Sequence, residues 1–258
     1  MPFAECGDLR THYELTGDSG PVLVLSNSLG TNLSMWEPQM KEFSKRFRVL
    51  RYDTRGHGQS SIPAGDYTIE QLGRDVVGLL DRLGLERALF CGLSMGGMIG
   101  MWLGAHAPGR LDRLVLCNTA ARVGTAETWN ARIETVHKSG MKPVAAAVIE
   151  RWFTPEFRAA YPQRVAVVQA MLENAPPQGY AACCAAVRDM DLRKTVAQIP
   201  VPTLVVYGAK DPATSPVDAE FLVKRIRGAQ SVELNAAHLS NVEQAEAFTK
   251  AVGGFLAE

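Results

Sequence analysis

Apolar residues along this chain repeat with two different periods. Residues 22–25, Val-Leu-Val-Leu, form a short, wholly apolar run, as in a strand covered on both faces. Similar runs recur at 49–52, 88–91, 114–117, 204–207 and 231–234. Between most of them apolar positions return every three or four residues. This predicts helices over 35–45, 69–83, 95–107 and 216–226, and a last one from about 242 to 256. Residues 11–15 alternate polar and apolar, and with 3–6 and a Gly7-Asp8 turn they predict an N-terminal antiparallel hairpin. Strands alternating with helices imply βαβ units and a mainly parallel sheet.

The alternation stops between about 120 and 198. No strand run occurs there. Helix-like pieces rich in alanine and aromatics lie at 143–153 and 163–172, and Pro176-Pro177 breaks the stretch. The predicted organisation is a core made of 1–119 and 199–258, with a helical cap, 120–198, inserted into it. A length of 258 residues is ordinary for a large α/β sheet carrying such an insertion.

Composition narrows the function. Hydrophobic residues make up 47% and charged residues 21%, which argues for a packed globule and against disorder. Basic and acidic residues balance at 27 each, so nothing suggests a nucleic-acid partner or an anionic membrane surface. Five cysteines are too few, and odd in number, for a disulfide framework. With no apolar leader-like stretch near the start, a reducing cytoplasm is expected. No CxxC, HExxH or other metal-ligand spacing is present, so neither a metal nor another cofactor is expected. Residues 88–105 lack any charge and carry Gly96, Gly100 and Gly104 at GxxxG spacing, a pattern of paired membrane helices. Gly92, Ser94 and Gly96-Gly97 would weaken one continuous helix, so strand, tight turn and buried helix explain it better. The glycine row then lets that helix lie close to the sheet.

The same stretch holds the first candidate chemistry. Gly92-Leu93-Ser94-Met95-Gly96 matches G-x-S-x-G directly between a buried-strand run and a helical run. A serine on such a turn projects its hydroxyl from the sheet, and the Met95 N–H at the helix start favours an oxyanion. A phosphate loop is excluded, because Met98 stands where the Walker motif needs lysine. Gly56-His57-Gly58 could open a dinucleotide motif, but Ser61 occupies the third glycine position, so a turn is expected. A serine needs a base, and the fold expects the chain order serine, acid, histidine. His238, in Asn235-Ala236-Ala237-His238 just past the last strand run, is the candidate base. Asp211, three residues past Gly208, is the candidate acid; a helix cap or an Asx turn is its alternative reading. The second oxyanion donor is placed at the Leu29 N–H, in the loop Asn27-Ser28-Leu29-Gly30, where plain core packing is the alternative.

Gly92-Leu-Ser-Met-Gly-Gly97, Asp53-Thr-Arg-Gly-His-Gly-Gln-Ser60, Gly208-Ala-Lys-Asp211 and Ala237-His238 resemble the α/β-hydrolase superfamily over nearly the whole chain. Ser26-Asn-Ser-Leu-Gly-Thr31, Thr128-Trp-Asn-Ala-Arg-Ile133, Cys183-Cys184 and Arg188-Asp-Met-Asp-Leu-Arg193 are similar to bacterial 3-oxoadipate enol-lactonases. Many superfamily members carry His-Gly in the oxyanion loop, where this chain has Asn27-Ser28. The resemblance implies an α/β-hydrolase fold: a mostly parallel eight-stranded sheet, helices on both faces and a helical cap. It also implies hydrolysis of a small anionic lactone in aromatic catabolism. Such a substrate carries a carboxylate, and residues 120–198 hold ten Lys or Arg against seven Asp or Glu. Arg132 is the candidate anchor and Trp129, three residues before it, the apolar wall; a solvated charge and a packed aromatic are their alternatives. Rival readings are an esterase, another lactonase or a cofactor-free perhydrolase on the same fold, or a non-catalytic small-molecule receptor.

Overall fold

The computed structural model describes residues 2–257. One eight-stranded sheet runs through the molecule in the order β1-β2-β4-β3-β5-β6-β7-β8. β1 (Phe3–Cys6) and β2 (Leu9–Thr16) form the predicted antiparallel hairpin, and β2 joins β4 (Arg48–Tyr52) antiparallel. β3 (Val22–Ser26), β4, β5 (Ala88–Leu93), β6 (Leu111–Cys117), β7 (Thr203–Gly208) and β8 (Gln230–Leu234) pair in parallel. β3 and β5 are buried at every residue, which is why their sequences are apolar throughout rather than alternating.

Two helical layers supply that cover. α2 (Ile69–Arg82) packs on α3 (Met95–His106), and α3 lies on β5 and β6. α1 (Glu37–Phe43) pairs with α11 (Ala245–Leu256). α2 starts where the Thr68 side chain accepts the Gln71 N–H, and it buries Ile69, Leu72, Val76, Leu79 and Leu80 at helical spacing. Two predicted helices are interrupted. The one over 35–45 begins as a 3-10 turn, Leu33–Trp36, and Pro38 opens the α-helix. The last divides at Gln244 (φ −119, ψ 49) into α10 (Ser240–Glu243) and α11.

Between β6 and β7 the chain is helical, as expected, but with more helices than the periodicity indicates. α4 (Ala126–Ser139), α5 (Met141–Trp152), α6 (Pro155–Ala160), α7 (Pro162–Glu173) and α8 (Pro177–Asp189) follow one another. The Pro176-Pro177 break is real, yet Pro177 also opens α8, a position where a missing N–H costs nothing. The short α9 (Pro216–Arg225) covers β7. Among the described residues, no helix is long and apolar enough to cross a membrane. The uncharged stretch is β5, a one-residue turn and α3.

Register decides what meets at the sheet edge. Ser26 pairs with Gly92, Leu93 with Cys117, Cys117 with Val206, and Gly208 with Leu234. The carboxyl ends of β3, β5, β6, β7 and β8 therefore line up, and the loops beyond them converge, as open α/β sheets place their sites.

Candidate active site

Ser94 occupies the single position between β5 and α3, with φ 58 and ψ −115. That region favours glycine, so a serine there is strained and must be held by its surroundings. Three hydrogen bonds hold it. Its N–H donates to Cys117 O (2.9 Å), Thr119 Oγ1 donates to its carbonyl (2.7 Å), and the Gly96 N–H donates to Asn27 O (3.0 Å). The flanking glycines are required by space. A Cβ on Gly92 would sit 2.1 Å from Gly96 O, and one on Gly96 would sit 2.2 Å from Ser26 O. Both obstacles are backbone atoms.

His238 and Asp211 meet as the chain order predicts. His238 Nδ1 lies 2.8 Å from Asp211 Oδ2, and both residues are buried. A carboxylate on Nδ1 fixes the proton there and leaves Nε2 as the acceptor. Burial raises the Asp211 carboxyl. The His238 charge, hydrogen bonds from His238 and Asn118, and the Thr214 backbone outweigh burial and bring it from 3.8 to about 2. Of its two alternative readings, the helix cap fails, because Ser215 and Asp218 cap α9 between themselves. The Asx turn coexists with the contact to histidine, since Asp211 Oδ1 accepts from Ala213 N (2.8 Å) and Thr214 N (3.1 Å). Two supporting residues escaped the sequence. Asn118, at φ 42 just past β6, donates to Asp211 Oδ2 (3.0 Å) and to Ala237 O (3.2 Å). Thr214 Oγ1 donates to Asp211 Oδ2 (2.8 Å). Asn118 carried one signal: it follows the strand before β7, the other position at which the acid could stand.

The loop after β3 faces this pair. Asn27 is buried; its Nδ2 donates to Tyr52 O (2.7 Å) and its Oδ1 accepts from Trp36 Nε1 (3.0 Å). The Gly30 N–H donates to Nε2 of buried His57 (2.9 Å), whose Nδ1 lies 3.2 Å from Arg55 O. Burial pushes the His57 imidazole down, consistent with a neutral ring that accepts at Nε2. The turn expected at 56–58 thus serves as a brace for the loop. Between these anchors the Leu29 N–H makes no hydrogen bond among the described residues, and the Met95 N–H, first in α3, has no partner within its helix.

Ser94, His238, Leu29 and Met95 all line one cavity of about 380 Å³. Trp129 and Arg132 line it too, with the guanidinium 4.7 Å from the indole centroid. Trp129 is packed, its Nε1 donating to Val123 O (2.8 Å), and also lines the cavity. Among the lining residues that were not foreseen are Arg151 and Trp152 at the end of α5, and Tyr180 on α8. Nothing in the local sequence of Arg151 distinguishes it from a surface charge. Burial, and then the Arg132 charge beside it, pull the Arg151 guanidinium below its ordinary value. Among the described residues, neither arginine pairs with a carboxylate, and the cavity lining contains no Asp or Glu. A second buried imidazole–carboxylate pair, His12 Nδ1 to Asp53 Oδ2 (2.7 Å), lies away from this cavity and ties loops together. No group of three or more metal-ligating side chains occurs among the described residues.

Known proteins share this fold. A family model described as the alpha/beta hydrolase fold matches residues 21–245. The chain is 45% identical over 246 residues to 3-oxoadipate enol-lactonase 2 of Acinetobacter baylyi, covering 95% of this chain and 92% of the relative. The enol-lactonase from Burkholderia xenovorans LB400 superposes with TM-score 0.98 at 48% identity, covering 100% of both chains. A malate-bound thermophilic esterase from Thermogutta terrifontis superposes with TM-score 0.91 at 30% identity, covering 96% of this chain and 93% of the other.

Two outcomes follow from this geometry. Gly96→Ala forces its methyl onto the Ser26 carbonyl and is expected to cost about 1–3 kcal/mol, read as a lower urea midpoint at unchanged slope. The Asp211 carboxyl lies lower in the folded than in the unfolded chain, so its stabilisation is present above pH 3.8 and lost as pH falls through about 2. The stability difference between wild type and Asp211→Asn should therefore shrink by roughly 2 kcal/mol from pH 5 to pH 2. A difference constant across that range contradicts the assignment.

Proposed function

Because this chain belongs to the α/β-hydrolase family, we propose that it hydrolyses a small anionic lactone, 3-oxoadipate enol-lactone, in a reducing cytoplasm. In this reading Ser94 is the nucleophile, His238 its base, and Asp211 the acid that orients the base. The segments 1–119 and 199–258 carry the chemistry, and the inserted cap, 120–198, selects the substrate. The observation that carries the substrate class is charge. Two guanidiniums, Arg132 and Arg151, face a cavity whose lining holds no acidic side chain. An anionic ligand satisfies them, and a bidentate carboxylate suits a guanidinium best. The two relatives named as enol-lactonases support the particular lactone.

The reaction runs from groups already described. Ser94 Oγ attacks the lactone carbonyl while its proton passes to His238 Nε2. The oxyanion forms against the Leu29 and Met95 N–H groups, which need no reorganisation to receive it. The ring C–O bond then breaks. The leaving group is an enolate, a weaker base than an alkoxide, and the His238 imidazolium returns a proton to it before it ketonises. Water gives a proton to His238 Nε2 and attacks the acyl carbon; the C–O bond to Ser94 Oγ then breaks, the imidazolium returns the proton to Ser94 Oγ, and the second carboxylate is released. Asp211 stays ionised throughout and stabilises the imidazolium. Trp129 and Trp152 flank the ring, and Arg132 and Arg151 hold the substrate carboxylate.

The direct test is loss of ultraviolet absorbance from freshly generated enol-lactone. Ser94→Ala should lower turnover by roughly four to six orders of magnitude, and near-wild-type turnover in that variant ends the proposal. Arg132→Ala and Arg151→Ala should each raise KM for the lactone about tenfold, as expected for a lost charge-assisted hydrogen bond. Their KM for an uncharged ester such as p-nitrophenyl acetate should stay put. Equal effects on both substrates would remove the anion subsite.

A further inference from the structure

Glu243 is a buried carboxylate outside the reaction just described, and no basic side chain pairs with it among the described residues. Its donors are neutral and come from two parts of the fold. The Ala237 N–H, next to His238, donates to Oε2 (3.0 Å). From the cap, the Thr154 hydroxyl donates to Oε1, and the Thr154 N–H lies 3.4 Å from Oε2. A carboxylate buried without a cation is a poor contributor to stability, since desolvation opposes its hydrogen bonds. Its position therefore asks for another explanation.

The neighbouring contacts supply one. Thr154 follows α5 by two residues, and the end of α5 supplies the cavity residues Arg151 and Trp152. The Trp152 ring lies 5.8 Å from the His238 ring, and Trp152 O accepts the Leu239 N–H (3.0 Å). Asn118 holds the other side of the same loop through Ala237 O. We propose that Glu243 is a positioning residue that clamps the cap to the histidine loop, so that the substrate wall and the base keep one fixed relation. Fixing groups relative to each other in this way is worth much in rate, because small misplacements of a base are costly. The inference rests on the reading of Ser94 and His238 as nucleophile and base.

The test uses the full chain and two readouts. One is the rate at which a small fluorophosphonate labels Ser94, which reports the serine–histidine relation without needing cap contacts. The other is KM for the enol-lactone, which reports the wall. Glu243→Ala should slow labelling by about tenfold and also raise KM, whereas Glu243→Gln, which keeps an acceptor for Ala237 and a donor for Thr154, should stay within about threefold of wild type. Wild-type labelling by a folded Glu243→Ala variant would overturn the clamp, and so would equal damage by Gln and Ala. Should Glu243→Ala fail to fold, Thr154→Val cuts only the cap end; raised KM with labelling slowed less supports the clamp, and no change in either refutes it. Failure of the wild-type protein to label would instead sink the underlying hydrolase reading.

Discussion

The left-handed turn at Ser94 is the constraint on which the rest of the site depends. A serine in that region costs about 1–3 kcal/mol unless its surroundings enforce it. The enforcing bonds reach Asn27 on one side and Cys117 and Thr119 on the other. They are therefore also the bonds that set the loop after β3 and the end of β6 relative to Ser94. Gly92 and Gly96 make this possible, because the backbone of α3 approaches β3 more closely than any side chain allows. One local strain thus aligns three loops from three strands.

Two imidazole–carboxylate pairs in one chain show how environment assigns a role. His12–Asp53 and His238–Asp211 have almost the same contact, 2.7 and 2.8 Å, and similar burial. The Asp53 carboxylate also accepts the Leu33 and Gln59 N–H groups, so it closes loops, and neither member of the pair lines the cavity beside Ser94. The second pair stands at the cavity with one imidazole nitrogen unused by Asp211. His57 is a third case, a buried neutral ring that holds the Gly30 N–H in the loop after β3. The same side chain serves as loop tie, candidate base and brace, according to what lies within hydrogen-bond reach.

The cap contributes charge where the sheet contributes geometry. Arg132 and Arg151 come from α4 and α5, and in the folded chain the charge of one acts on the other. Holding two like charges near one another is unfavourable without an anion between them. Stacking Arg132 on Trp129 orients the guanidinium and lets the wall and the cation act together. The two guanidiniums are thus separate in sequence from Ser94, Asp211 and His238, which lie at the sheet edge.

Much of the core was legible in the sequence, and for physical reasons. Strands covered on both faces must be apolar throughout, so β3, β5, β6 and β7 stand out, and the glycine-flanked Ser94 between β5 and α3 identifies its own turn. His238 and Asp211 follow from chain order and strand ends, because a parallel sheet gathers those ends at one edge. The cap was less legible. α4 buries only Trp129 and Val136, α8 is buried nearly all round, and neither pattern gives a clean stripe. Arg151, Trp152 and Glu243 acquire meaning only in three dimensions, since groups they meet lie far along the chain or on another element. Local spacing determines which segments become strands and helices; which side chains share a cavity depends on sheet register and on how the cap docks.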